Sequence, residues 1–381
     1  MYIWQSSKWP QWKVDLGSLQ GALSRARYAQ GRAMGMATHI QLMDYGELQL
    51  KGWSEEAMAT AQIEGEILQL NSVRASAARR LGLTGGKLVE RDERTEATMN
   101  LLESVLVDSQ QALTHKHFFA WHTALFPTGR SGLQRIKTGA YRDHVEPMQI
   151  VTPRLGKPDV VHYQAPDSMD VPEQMDQLIG WFNQSSVGTD GLVRAALAHL
   201  WFEAIHPFED GNGRLGRALV EIALAQDLHT KHRLWSLSQQ IWLDRSAYYA
   251  ELENATGQAQ MDVTKWVQWF VSCIEKAADA AYFSMLTAVK KTHFWSLVRE
   301  QFPNLNASQR KAINKLYDVG PEGFKAGIST QKYVHLCSVS RATAYRELTA
   351  MRDMGLLEQV GEGRATGYKL RASLVSFSAS H

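Results

Sequence analysis

Apolar positions run almost unbroken from Gly191 to Ile205, through Leu192-Val193, Ala195-Ala196-Leu197-Ala198 and Leu200-Trp201-Phe202. A helix with no polar face is normally a central, buried one, and this stretch predicts the helix that the rest of the chain covers. Helical spacing resumes from Arg214 through Leu219, Val220, Ile222, Ala223 and Leu224 to Leu228. The twelve residues between, His206-Pro207-Phe208-Glu209-Asp210-Gly211-Asn212-Gly213-Arg214-Leu215-Gly216-Arg217, are then a loop and the first turn of a second helix. His206 hangs at the end of a rigid element.

Elsewhere the pattern is again mainly helical. Amphipathic stretches run from about Leu16 to Leu42, Asp92 to Ser109, through Phe118, Phe119, Trp121 and Leu125, from Val171-Pro172-Glu173 to Asn183, Trp242 to Leu252, and Lys265 to about Val298. Ser54, followed by Glu55 and Glu56, reads as a helix start, an N-cap side chain with acids in the first turn. That helix is expected over about 54–70, with Ile63, Ile67 and Leu70 on its apolar face. The period changes at 143–163, where Val145, Ile150 and Val151, a Pro/Gly-rich turn and Val160-Val161-His162-Tyr163 predict a β-hairpin. A break around 302–308 precedes helices at 308–317, 330–336 and 341–354 and two short strands about a glycine-rich wing. The fold class read from these patterns is mainly α with a small β-hairpin, followed by a C-terminal α+β winged helix at 306–381.

Charge and composition narrow the picture without deciding it. Forty-one basic against thirty-nine acidic residues give a formal charge of +2, which argues neither for nor against nucleic acid. Two cysteines, Cys273 and Cys337, suggest neither a disulfide framework nor a zinc site and fit a reducing cytoplasm. The first residues lack a signal-peptide pattern, and no run is long and apolar enough for a membrane span, so a soluble, cytoplasmic protein is expected. Trp4, Trp9 and Trp12 are read as aromatics that dock the opening segment onto the body. His115, His117 and His122 lack the i, i+4 spacing of a metal pair and are read as packing or surface residues.

The loop at 206–217 carries the chemistry. Gly211-Asn212-Gly213 tolerates left-handed backbone and turns successive N–H groups inward as an anion nest at a helix start. Arg214 and Arg217, three apart, sit on one side of the first turn, where they oppose the helix dipole and can take phosphate oxygens. Asp210 can hold a Mg²⁺ that bridges phosphates. No chemistry is assigned to Glu209 or Leu215.

This loop matches the pattern H-x-F-x-D/E-G-N-G-R-x-x-R at every defined position and so resembles the Fic family. The resemblance implies transfer of AMP from ATP to a Tyr, Ser or Thr hydroxyl of a target protein, or of the protein itself, with release of pyrophosphate. It implies His206 as general base, Asp210 as Mg²⁺ ligand, Gly211, Asn212 and Gly213 as the phosphate-cradling turn, Arg214 and Arg217 as triphosphate clamps and Phe208 as the anchor of the loop. The hairpin at 143–163 resembles the family's flap, which holds the target as an added strand. Tyr248-Tyr249 correspond to a region near the adenine, Tyr249 being the candidate contact. Thr60-Ala61-Gln62-Ile63-Glu64-Gly65 resembles the family's inhibitory pattern, in which the glutamate, here Glu64, pairs with the second arginine, here Arg217, against the γ-phosphate. Residues 72–82, and the opening segment, also resemble sequences that precede such cores.

The expected domains are 1–90, a helical region with the inhibitory helix; 91–300, the catalytic core; and 306–381. The last carries ten basic against six acidic side chains over 306–370. Arg341, Arg346 and Arg364 there make DNA a candidate partner. Removal of AMP by water held on Glu64, transfer of another group such as UMP or phosphate, and a DNA-binding regulator with the core as sensor are the rival readings. The intact Gly-Asn-Gly-Arg favours AMP. A homodimer stays open, since inhibition in the family can depend on oligomeric state.

Overall fold

A helix apolar on every side has to be surrounded, and every residue of Gly191–Ile205 is buried in the computed structural model. The structure describes all residues except 39–41, 84–90, 153, 155–157, 159, 231–233, 324–326 and 376–381. In chain order the first unit contains α1 (Leu16–Thr38), α2 (Leu42–Ile63), α3 (Leu70–Arg80), α4 (Glu93–Asp108) and α5 (His115–Leu125). The paired strands β1 (Arg130–Ser131) and β2 (Gln134–Arg135) follow, then β3 (Gln149–Thr152) and β4 (Val160–Gln164). Next come α6 (Val171–Gln184), α7 (Gly191–Ile205), α8 (Asn212–Asp227), α9 (Leu237–Leu243), α10 (Arg245–Thr256) and the long α11 (Thr264–Gln301). α7 and α8 pack most extensively, joined by the 206–211 turn, and the largest hydrophobic core is built around them. The N-terminal tryptophans dock here as expected. Trp9 and Trp12 meet Trp201 of α7 at ring-centroid distances of 6.1 and 5.8 Å, and the Trp4 indole donates to the Gln164 carbonyl at 2.8 Å.

The hairpin is antiparallel, Ile150 facing Tyr163 and Thr152 facing Val160, with an irregularity between Ile150 and Val151. It starts later than the pattern suggested: Val145 lies outside it and is almost fully exposed. Most of the intervening turn falls outside the described residues.

Contacts divide the chain into two compact units, Met1–Met285 and Leu286–His381. The division falls inside α11, before the break at 302–308, because Phe294 and Val298 belong to the core of the second unit. That unit continues with α12 (Ala307–Gly323), α13 (Thr330–Cys337), α14 (Arg341–Asp353), β5 (Leu357–Val360), β6 (Gly367–Leu370) and α15 (Ala372–Val375). β5 and β6 pair antiparallel, giving the three helices and wing expected from the sequence. Its core contains the pair Tyr333 and Glu347, joined at 2.6 Å. No helix among the described residues is long and apolar enough to cross a membrane.

The helix expected over 54–70 is corrected. α2 begins before Ser54 and ends at Ile63, so Ser54 is interior and donates back to the Leu50 carbonyl at 2.6 Å. Gly65, at φ +79°, terminates the helix. Glu66 N–H reaches the Ala61 carbonyl (2.9 Å) and Gly65 N–H that of Gln62 (3.0 Å), the paired closure of a glycine-ended helix. Glu64 therefore caps a helix end, while Ile67 and Leu70, expected on the apolar face, are exposed. Glu56, read as a first-turn acid, is buried. It accepts Ser236 Oγ at 2.7 Å, Ser238 N–H at 3.3 Å and the Ser238 hydroxyl, fastening α2 to the start of α9.

Two outcomes follow from this packing. Glu56→Ala leaves three buried donors without an acceptor, and urea unfolding is expected to show a loss of about 2–3 kcal/mol. His199 of α7 is fully buried, bonded to the Tyr248 hydroxyl at 2.9 Å and stacked on Trp266. Burial, helped by Arg217, depresses its pKa to about 3. An unfolded histidine takes up a proton below about pH 6.5 and this one does not, so its contribution is present above about 6.5 and lost as pH falls toward 3. The melting temperature is expected to drop over that window, and His199→Gln should flatten the slope by one proton. An unchanged slope refutes a neutral, buried His199.

Candidate functional site

His206 closes α7 in the left-handed conformation, φ 50°, ψ 61°, rare for a side-chain-bearing residue. Several bonds over-determine that geometry. His206 N–H returns to the Phe202 carbonyl at 2.9 Å, and buried Arg142 donates Nε to the His206 carbonyl at 2.9 Å and Nη2 to that of Pro166 at 2.6 Å. The Arg142 amide also reaches the Pro207 carbonyl at 3.0 Å. Phe208 is buried, stacked on His122 at 4.3 Å. Gly139 N–H donates to His122 Nδ1 at 3.2 Å, which leaves the proton on Nε2 for the Asp210 carbonyl at 3.2 Å. His122 thus buttresses the loop, a use its sequence spacing did not signal.

Asn212 spends its side chain inside the loop, accepting Phe208 N–H at 2.9 Å and donating to the Phe208 carbonyl at 2.8 Å. What it offers a ligand is its backbone, at the start of α8. Gly211 precedes it at φ +81°, where a Cβ would stand 2.7 Å from the Phe126 ring, and no described side chain caps this helix start. A Cβ at Gly213 would lie 2.3 Å from Glu64. Free N–H groups on a glycine turn at a helix N-terminus suit an anion.

Both arginines of α8 are buried, and both are already held by carboxylates. Glu64 Oε1 accepts Arg217 Nη2 at 2.8 Å, while Thr60 accepts Arg217 Nε on its hydroxyl at 3.0 Å and Nη2 on its carbonyl at 3.1 Å. Arg214, unexpectedly, pairs with Glu66 at 2.9 Å. Burial opposes the charge on Arg217, yet Glu64 beside it holds its pKa above the ordinary value. Arg217 Nη1 and Arg214 Nε still have no hydrogen-bond partner among the described residues. Asp210 accepts its neighbour Gly211 N–H at 2.5 Å and the Ser131 hydroxyl, and lies 3.9 Å from Arg214. Being partly exposed, with oxygen ligation as its only chemistry, it fits the sparse carboxylate set that magnesium uses.

A cavity of about 590 Å³ opens beside His206, lined by Glu64, Gly213, Tyr248, Tyr249 and the hairpin residues Ile150 and Val151, among others. A second, of about 430 Å³, is lined by Glu66, Arg214 and Ser131. The two glutamates therefore stand one at each cavity. Tyr249, half exposed, donates to the Ile63 carbonyl at 3.3 Å, while Tyr248 is buried. Burial, with the positive charge of Arg142, holds the His206 pKa down at about 4, so its ring is neutral near pH 7. The fold thus gathers His206, Phe208, Asp210, Gly211 to Gly213, Arg214, Arg217, Glu64 and Tyr249 from distant parts of the chain. Missed from the sequence were Glu66, Ser131, His122 and Glu203, of which only Glu203, a lone carboxylate in an apolar run, left a signal.

Residues 112–224 match the Fic/DOC family model. Residues 2–83 match a domain of unknown function, DUF4172, and 324–371 match the C-terminal domain of DIP2311-like transcriptional regulators. Among curated relatives, protein adenylyltransferase fic-1 of Caenorhabditis briggsae is 29% identical over 148 residues, 38% of this chain and 26% of that one. Protein adenylyltransferase Fic of Drosophila erecta is 25% identical over 270 residues, 68% of this chain and 49% of that one. The chain spans between a quarter and half of the length of these relatives. A Fic family protein of Desulfovibrio desulfuricans shares the fold with a TM-score of 0.51 at 20% identity, over 92% of this chain and 96% of that one. With the motif loop, its helices and the three-helix wing unit in view, the chain carries a Fic/DOC family domain followed by a C-terminal domain of the DIP2311-like regulator type.

Proposed function

We propose that the chain is a protein adenylyltransferase that moves AMP from ATP to a side-chain hydroxyl of a target protein, and that the form described here is the restrained one. The observation that carries this reading is the 2.8 Å pair between Glu64 and Arg217, beside a cavity into which His206 faces. A carboxylate in a guanidinium fork competes directly with phosphate for it. The Arg214–Glu66 pair applies the same logic to the second arginine. The relatives named adenylyltransferases support the reaction class.

In the reaction, the target hydroxyl attacks the α-phosphorus, a new O–P bond forms, and the bond to the bridging oxygen of pyrophosphate breaks. His206 takes the hydroxyl proton, and its neutral state near pH 7 suits that task. Arg214, Arg217 and the N–H groups of Asn212 and Gly213 hold phosphate oxygens and the charge that pyrophosphate carries away. Asp210 would hold Mg²⁺, whose charge neutralises the phosphates. Tyr249 and Leu252 offer an adenine a flat and an apolar contact. The hairpin, with Ile150 and Val151 part-exposed at the cavity, is the docking edge for a target segment added as a strand.

A second role is favoured by the regulator-type match of the last domain. Its α14 presents Arg341, Tyr345 and Arg346 outward, a helix face suited to a DNA groove. The Arg364 side chain lies outside the described residues.

Labelled ATP and Mg²⁺ in a cell lysate test the first reading. Glu64→Gly is expected to transfer label to protein strongly, wild type at least tenfold less, and Glu64→Gly/His206→Ala not at all. Undiminished labelling by the double variant overturns His206 as base, and removal of AMP from a premodified protein by wild type alone makes Glu64 a catalytic group. For the second role, binding to a duplex should weaken with salt, and Arg346→Ala should lower the salt slope by about one. Salt-independent binding or none removes DNA as a partner.

A further inference from the structure

Glu203 is the one carboxylate on α7, and it is buried. Its Oε2 lies 3.9 Å from His206 Nδ1, three residues on. Glu203 Oε1 and His206 Nδ1 both lack a close hydrogen-bond partner among the described residues, the Glu203 backbone carbonyl being the other acceptor that acts on the His206 ring. A buried carboxyl with no partner is costly unless it has a use, and buried polar groups left unpaired are uncommon enough to need one. The facing helix makes room for it. A Cβ at Gly216 of α8 would lie 2.6 Å from Glu203 Oε1 and 3.0 Å from His199 Nδ1, so only glycine there leaves the slot open. Glu203, His206, Glu64 and Gly213 line the same cavity.

We propose that Glu203 is a positioning residue for His206: its carboxylate faces Nδ1, fixes the proton there, leaves the Nε2 lone pair for the target hydroxyl, and steadies the imidazolium formed. This deepens, and rests on, the reading of His206 as general base. The proton taken from the hydroxyl stays on Nε2, and Glu203 itself exchanges none. A carboxylate placed behind an imidazole in this way sets both tautomer and basicity.

The surrounding charges tie this role to the Glu64 pair. Glu64 comes from the end of α2, Arg217 from α8, Tyr248 from α10, His199 from α7 itself and Arg142 from the segment before the hairpin. Burial and the like charge of Glu64 push the Glu203 carboxyl up to about 8, against the pull of Arg217. With Glu64 seated, its like charge adds to burial in disfavouring the carboxylate form that the role needs. Withdrawal of Glu64 removes a like charge and leaves Arg217 nearby, which favours the ionised form. One movement thus frees the phosphate fork and shifts Glu203 toward its charged form.

The test compares Glu64→Gly with Glu64→Gly/Glu203→Gln and Glu64→Gly/Glu203→Asp, measuring kcat and KM for ATP in protein labelling, with circular dichroism to check folding. Gln is nearly isosteric and fills the same slot. Expected is a kcat loss of tenfold or more for Gln with KM for ATP within twofold, and partial recovery with Asp. A Gln variant within twofold of its parent in kcat overturns the proposal, as does an equal loss with Asp and Gln, which marks a packing role. If Glu64→Gly itself transfers nothing, the adenylyltransferase reading has failed and this inference falls with it; an active parent with an unaffected Gln variant sinks the Glu203 role alone.

Discussion

The constraint from which the site arises is the burial of α7 on all sides. A helix with no solvent face draws α8, α6, the N-terminal tryptophans and the aromatic start of α11 around it, and its end can then be placed accurately. Rigid burial of the preceding helix fixes where His206 stands. The left-handed turn at His206 would be strained in isolation, and Arg142, through bonds to the carbonyls of His206 and Pro166, together with the Asn212 side chain, supplies what holds it. Site precision here is a property of the core, with the loop's own polar bonds finishing it.

A second theme is the way buried charge is matched. Arg214 and Arg217 would be expensive beneath the surface without partners, and the turn at 64–66 provides a carboxylate for each. Because Gly65 breaks the helix between them, Glu64 and Glu66 diverge to separate cavities. The same glycine that ends α2 therefore sets the spacing of the two ion pairs. Fastened at Glu56 to the start of α9 and through Ile63 to Tyr249, the end of α2 adds polar contacts to the burial of Ala57, Ala61 and Ile63. The two glutamate–arginine pairs are the part of this hold that a charged ligand can exchange, since phosphate offers the arginines the same chemistry.

The sequence by itself determined the motif loop, its two helices, the hairpin and the winged unit, and the family resemblance implied the pairing of Glu64 with Arg217. Those were readable because each is carried by local pattern: an unbroken apolar run, a glycine-rich turn followed by spaced arginines, period-two segments, or a resemblance confined to a few neighbouring residues. Helix boundaries were less readable. Ser54-Glu55-Glu56 has the local chemistry of a helix start, yet the helix already runs through it, because the burial of Leu50, Trp53 and Ala57 outweighs a capping preference. What only the tertiary structure decided were the partners of buried polar groups. Glu56 with Ser236 and Ser238, Glu66 with Arg214 and Ser131 with Asp210 are pairs far apart in the chain, and nothing in their local sequence names the partner. A side chain's charge is written in the sequence; the charge it meets, and the water it loses, follow from which helices the core brings together.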